Sequence, residues 1–197
     1  MVETLNNKKL ILASASPRRK ELLDQVGIKY EVLPSNVEEH IEDMEGTPAE
    51  KAEKLAYLKA RDVASKLKDC LVLGADTIVV VDNEVLGKPK DLDDAKSMLS
   101  RLSGKEHQVI TGVALIDTNK NIELVSHETT SVKFRKLTSR MINSYLAAQE
   151  PMGKAGAYAI QGFGALLIEG INGCYSNVVG LPLTKLSKMI ESLNTQS

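Results

Sequence analysis

Residues 10–23 read LILASASPRRKELL, and a change of period inside them decides the fold class. Leu10–Ala13 is a short apolar run of the kind a buried strand carries, whereas Leu22, Leu23 and Val26 recur at helical spacing. Between them Ser16 stands where a side-chain oxygen caps a helix, and Pro17 takes the first helical position, where a missing N–H costs nothing. Arg18 and Arg19 then fall in the first turn, at the positive end of the helix dipole, a placement unfavourable by roughly 0.3–1 kcal/mol per exposed charge. A solvated basic turn explains one arginine there better than two. An anion explains both, because backbone N–H groups, the Ser16 hydroxyl and two guanidinium forks make a phosphate receptor of the helix-terminus kind. No GxxxxGK[ST] pattern occurs, so the receptor is not a Walker loop.

Strand-like and helix-like segments alternate outward from this stretch. KYEVLPS reads as a second strand, and an acidic loop, NVEEHIEDMEGTP, ends at Thr47-Pro48, a helix start. From Pro48 to about Leu67, Ala52, Leu55, Ala56, Lys59, Ala60 and Val63 share one helical stripe, which turns Lys59 inward. CLVLGAD suits a strand covered on both faces that stops at Asp76-Thr77, and TIVVVDNEVLG suits a hairpin around Asp82-Asn83. A helix from about Asp91 to Leu102 has acidic residues at its positive end. HQVITGVALID and IELVSHETTSVKFRKL flank the turn TNKN as a long antiparallel pair. There follow a helix over 137–148, the glycine-rich loop EPMGKAGAYAIQGFG, a strand ALLIEGI, the polar stretch NGCYSNVVG and an amphipathic helix from Pro182. The expected fold is α/β, a long mixed twisted sheet flanked by helices and waisted into two lobes, with ligands at strand ends. With no repeat or low-complexity linker, residues 1–197 are read as one domain.

Composition narrows the partners. A hydrophobic fraction of 43% supports a core, and a net charge of −1 gives no overall attraction for nucleic acid or acidic lipid, so an anion must be met by a local cluster. No apolar run approaches the ~20 residues needed to span a bilayer, and MVETLNNKKL lacks the cationic start and apolar core of a secretion signal. Cys70 and Cys174 match no metal spacing and are read as reduced thiols of a cytoplasmic protein.

Four further places carry candidate chemistry. Asp76 follows a buried run, so its carboxylate needs a cation, hydrogen bonds or a raised pKa, unless it is simply a turn aspartate. Lys88, in LGKPKD, is held extended by the proline after it, yet alone it reads as a surface lysine. The acidic pair Glu38-Glu39 is either solvated loop or, with phosphate oxygens, a seat for a hard cation such as Mg²⁺. Gln161, in KAGAYAIQGFG, offers both a donor and an acceptor, which suits the edge of a base. His40, His107 and His127 are dispersed, which supports neither a zinc site nor a Ser-His-Asp arrangement.

Taken in order, LILASASPRRKELL, LVLGADTIVV, LGKPKD, MLSRLSGKEHQVITGVAL and KAGAYAIQGFGALLIEGINGCYSNVVGLPL resemble the Maf family of nucleotide pyrophosphatases over essentially the whole chain. The resemblance implies a fold related to the inosine triphosphate pyrophosphatases, with a central cleft between two lobes, often in a homodimer. It also implies hydrolysis of a nucleoside triphosphate between its α and β phosphates, with a divalent metal, Mg²⁺ or Mn²⁺. The dTTP and UTP branch usually carries Ser-Pro-Arg-Arg, Ala-Asp-Thr and Ile-Gln-Gly, found here at Arg18, Thr77 and Gln161. The 7-methyl-GTP branch has an aromatic after the proline, Ser-Asp-Gln and Ser-Glu-Gly. By this resemblance Asp76 is the proton acceptor, Arg18, Thr77 and Gln161 are specificity positions, and Ser16, Arg19, Glu39, Lys59 and Lys88 are further polar positions of the cleft. Glu39 and Asp76 are expected to share the metal. Gly153 stands where an acid is common and Ala159 where a glycine is common. Two alternatives stay open: the 7-methyl-GTP activity, and a nucleotide-binding regulator of cell division or septum formation that does not turn over.

Overall fold

The computed structural model describes residues 8–41, 43–148 and 150–195; the opening segment through Asn7, part of the stretch read above for a missing secretion signal, lies outside them. Strand β1 (Lys9–Leu12) leads into helix α1 (Pro17–Gln25), then β2 (Glu31–Val32), α2 (Pro48–Ala64), β3 (Cys70–Val81) and β4 (Glu84–Leu86). Helix α3 (Leu92–Leu102), β5 (Glu106–Asp117), β6 (Ile122–Phe134), α4 (Ser139–Ala147), β7 (Ile168–Asn172), α5 (Tyr175–Val179) and α6 (Leu183–Thr195) complete the order. Among the described residues seven strands form one mixed sheet in the order β2-β1-β3-β5-β6-β7, with β4 paired to β3. Strand β1 lies parallel to both β2 and β3, the pattern that α1 and α2 as crossover helices require. No helix among the described residues is long and apolar enough to cross a membrane.

The chain forms two compact units. The first takes the described residues up to Asp76, Thr111–Glu128 and those from Gly180 onward; the second takes Thr77–Ile110 and Thr129–Val179. Strands β3, β5 and β6 each pass from one unit to the other within their length, so neither unit is a continuous piece of sequence.

In the first unit the stripe on α2 is buried as its spacing predicts, with Ala52, Leu55, Ala56, Ala60 and Val63 at most 1% exposed and Lys59 among them. Thr47 caps this helix in a reciprocal box with Glu50, satisfying two of its orphan donors. Two glycines let α2 lie directly on the sheet. A Cβ at Gly74 of β3 would sit 2.2 Å from the Ala56 carbonyl oxygen and 2.8 Å from the Ala60 nitrogen, and one at Gly112 of β5 would sit 2.2 Å from the Ala52 carbonyl oxygen. Backbone cannot yield to such overlaps as a side-chain tip can, so both positions require glycine.

The second unit is built around an aromatic cluster. Phe134 of β6 meets His107 of β5 and Tyr158 edge-on, at centroid distances of 5.0 and 4.8 Å. The His107 Nε2 and the Tyr158 hydroxyl are 2.7 Å apart, while His107 Nδ1 is buried with no partner. Burial lowers the His107 pKa to about 4 and pushes the Tyr158 hydroxyl up. Strands β3 and β4 form the expected hairpin, with Val80 opposite Val85 and positive φ at both Asp82 and Asn83, the backbone a type I′ turn needs.

Several local expectations are corrected. Strand β3 does not stop at Asp76-Thr77 but runs unbroken to Val81, because the β-branched residues Thr77–Val81 extend the ladder. Ser16 holds the N-cap position of α1, yet its side chain makes no capping bond. KYEVLPS supplies only the two-residue β2. Ala165–Leu167 belong to a 3₁₀ turn over Gly162–Leu167, leaving β7 to begin at Ile168, and part of NGCYSNVVG winds into α5.

Two outcomes follow for stability. Gly74→Ala is expected to cost about 1–3 kcal/mol or more in urea denaturation, since the helix must lift from the strand. His107 binds a proton in the unfolded chain near pH 6.5 but in the folded chain only near pH 4, so its contribution is complete above the first value and lost as pH falls through the second. Wild-type stability is therefore expected to fall across that window by about 3 kcal/mol more than that of His107→Phe, measured by urea titration at each pH.

Candidate active site

One side chain joins two carboxylates of the first unit. Lys59 Nζ donates to Asp76 Oδ1 at 2.5 Å and to Glu39 Oε1 at 2.6 Å. Helix α2 supplies the lysine from its inward stripe, strand β3 supplies Asp76 from mid-strand, and the loop after β2 supplies Glu39. The acidic pair read in the sequence is thus divided: Glu38 contacts the exposed His40 at 3.0 Å, and Glu39 turns to Lys59. Lys59 and Asp76 are 7% and 6% exposed, and a carboxylate so buried is expensive unless paired. Burial raises the Asp76 pKa, Lys59 and then Arg19 draw it back down, and Glu39 raises it again. The result is a carboxyl group held above the ordinary aspartate range, hence a stronger base than an exposed one.

Arg19 is the fourth member. Its Nε donates to the Gly180 carbonyl at 2.8 Å and its Nη1 donates to Ser14 Oγ at 3.0 Å, so the guanidinium is fixed from two sides. Burial lowers its pKa, with Asp76 opposing, Arg18 reinforcing and Glu39 opposing. Ser16 and Arg18 are half-buried at the start of α1. The remaining sequence candidates belong to the second unit: Thr77 follows Asp76 on β3 and is half-buried, Lys88 is exposed after β4, and Gln161 is half-buried directly before the 3₁₀ turn.

A family model described as Maf-like protein matches residues 9–193. The chain belongs to the Maf family. Among relatives in that family, it is 57% identical over 187 residues to the dTTP/UTP pyrophosphatase of Ruminiclostridium cellulolyticum, covering 95% of this chain and 97% of the relative. It is 54% identical over 183 residues to the dTTP/UTP pyrophosphatase of Symbiobacterium thermophilum, covering 93% of each. Among solved structures, a nucleoside-triphosphatase / dITP/XTP pyrophosphatase from Mycobacterium abscessus aligns over 96% of this chain and 97% of its own, at 15% identity and a TM-score of 0.44.

The Maf-family residues can be tested for fit to a divalent cation. Two hard carboxylate oxygens lie within 2.6 Å of a single point, the Lys59 nitrogen, so one small cation there would reach both. Among the described residues no group of three His, Cys, Asp or Glu side chains could hold a metal. Two carboxylate oxygens are within the one or two carboxylates that Mg²⁺ commonly takes, its shell being completed by water and substrate phosphate.

Ser14 and the Gly180 carbonyl escaped the sequence reading. Ser14 carried a signal, a polar residue directly after a buried run and in need of a partner. The carbonyl, 161 residues from Arg19, carried none. Because Ser14 rather than Ser16 makes the fixed contact, Ser14→Ala is expected to lose about 1.5–3 kcal/mol, the usual worth of a bond to a charged group. Ser16→Ala should change stability by less than about 0.5 kcal/mol in the same denaturation series.

Proposed function

We propose that this protein hydrolyses dTTP and UTP at the bond between the α and β phosphates, releasing the monophosphate and pyrophosphate. The observation that carries this reading is a buried Asp76 beside two cations, Lys59 and Arg19, in a chain 57% identical to a protein named for that activity. The reaction adds water across a phosphoanhydride, and catalysis of such chemistry rests on positioning and on stabilising charge that moves to the leaving group. Asp76, held in place on strand β3, accepts the proton of the attacking water. Arg19, immobilised by Ser14 and Gly180, offers a fixed positive charge to the phosphates without having to reorganise, and Arg18, at the start of α1, adds a second.

Glu39 and Asp76 would hold the divalent cation, Mg²⁺ or Mn²⁺. When bound, it supplies neutralisation of the phosphate oxygens and lowers the pKa of water. The pyrimidine preference is assigned to Thr77 and Gln161, neutral side chains that hydrogen-bond without demanding a charged base. Lys88 and Ser16 are assigned to the phosphates. Cys70 and Cys174 are free thiols, and the protein is assigned to the cytoplasm.

Two measurements test the reading. Pyrophosphate release from dTTP, UTP, CTP, GTP and 7-methyl-GTP with Mg²⁺ is expected to favour dTTP and UTP; a preference for 7-methyl-GTP would overturn the branch, and no release from any would favour a binding regulator. Asp76→Asn is expected to lower kcat by about 10²–10⁴, the usual contribution of a positioned base, and circular dichroism should show the fold retained.

A further inference from the structure

The seat between Glu39 and Asp76 already holds a cation. Lys59 Nζ meets one oxygen of each carboxylate, at 2.6 and 2.5 Å, and the stem that carries it is buried. The point between these two oxygens cannot hold an ammonium and a divalent ion at once, because like charges that close repel strongly in a partly desolvated site. The helix behind the lysine is already packed as closely on the sheet as its backbone allows. Its backbone at Ala56 and Ala60, on either side of Lys59 in sequence, presses against Gly74 of β3. The lysine's own flexible four-carbon stem offers a route for exchange that leaves this packing in place.

We propose that Lys59 is the resting occupant of this cation seat, and that a divalent metal enters by displacing its ammonium. The proposal rests on the metal-assisted reading of Glu39 and Asp76 and adds an order of events to it. Displacement costs the ammonium its contacts to Asp76 and Glu39, so without nucleotide metal binds weakly. With a triphosphate present the ammonium gains an anionic oxygen, so metal and nucleotide assist each other, and the assistance is reciprocal. Lys59 thus keeps the buried Asp76 carboxylate, and the more exposed Glu39 beside it, compensated until both ligands arrive.

The full chain without nucleotide provides the test. Mn²⁺ binding, followed by the electron paramagnetic resonance signal of the free ion, is expected to be at least about tenfold tighter in Lys59→Met than in wild type. Lys59→Arg, which keeps a positive charge in place, should stay near wild type. If the methionine variant does not fold, wild type alone decides. The ¹⁵N ammonium resonance of Lys59, identified by its absence from Lys59→Arg, should shift as Mg²⁺ is added. Equal or weaker Mn²⁺ binding by folded Lys59→Met, or a Lys59 resonance unmoved while wild type binds Mn²⁺, would overturn the proposal. Neither readout uses dTTP: tighter Mn²⁺ binding in a protein that hydrolyses no nucleotide would sink the functional reading alone, and unchanged binding in an active protein would sink the exchange alone.

Discussion

A buried ammonium shared by two carboxylates constrains everything around it. Taking Lys59 and Asp76 out of water costs several kcal/mol per ion, and their attraction offsets this only with short, well-aligned contacts. Those contacts depend on how closely α2 approaches the sheet, which Gly74 and Gly112 permit by having no side chain where the backbone of α2 passes. The apolar residues of the same stripe, from Ala52 to Val63, supply the burial that holds the helix there. Packing, backbone and charge therefore act on the same few residues.

Paired arginines at the start of a helix pose an electrostatic puzzle, and the structure divides its answer between them. Arg19 is not a solvated charge at the wrong end of a dipole. It is turned inward, its guanidinium bonded to a carbonyl and a hydroxyl and lying in the field of Asp76 and Glu39. Arg18 remains half-buried on the first turn. An arginine fixed in this way loses little further entropy when it meets a ligand, whereas a lysine in the same place would keep a mobile point charge.

Much of this arrangement was legible in the sequence wherever a period or a turn chemistry carried it. The 3.6-residue stripe from Ala52 to Val63 turns Lys59 inward, and Asp82-Asn83 marks a hairpin, whose turn both residues allow by tolerating positive φ. Asp76 was legible as a carboxylate needing compensation but not as a mid-strand residue. A charged residue looks like the end of an apolar run, and the β-branched residues after it are what carry the strand on. The exchange of roles between Ser14 and Ser16 lay beyond local rules, since both serines flank the same helix start. The partner that completes the Arg19 site, the Gly180 carbonyl, is a backbone atom distant in sequence, and backbone acceptors leave no mark on composition.

The two carboxylates that meet at Lys59 are unequal, and the inequality follows from the elements that carry them. Asp76 stands on a central strand with neighbours on both sides, its side chain 8% exposed, whereas Glu39 stands on a loop with its side chain 34% exposed. Water screens the Lys59–Glu39 contact far more than the Lys59–Asp76 contact, and a loop residue gives up less packing when it moves. The proposed base is the rigid member, in keeping with the fixed position a proton transfer requires, because a base displaced by an ångström loses most of its advantage. The adaptable member is better suited to follow an incoming cation. In the proposed reaction a strand carboxylate and a loop carboxylate around one ammonium would thus divide between them two demands of phosphate hydrolysis, constancy at the reacting atom and tolerance at the ion.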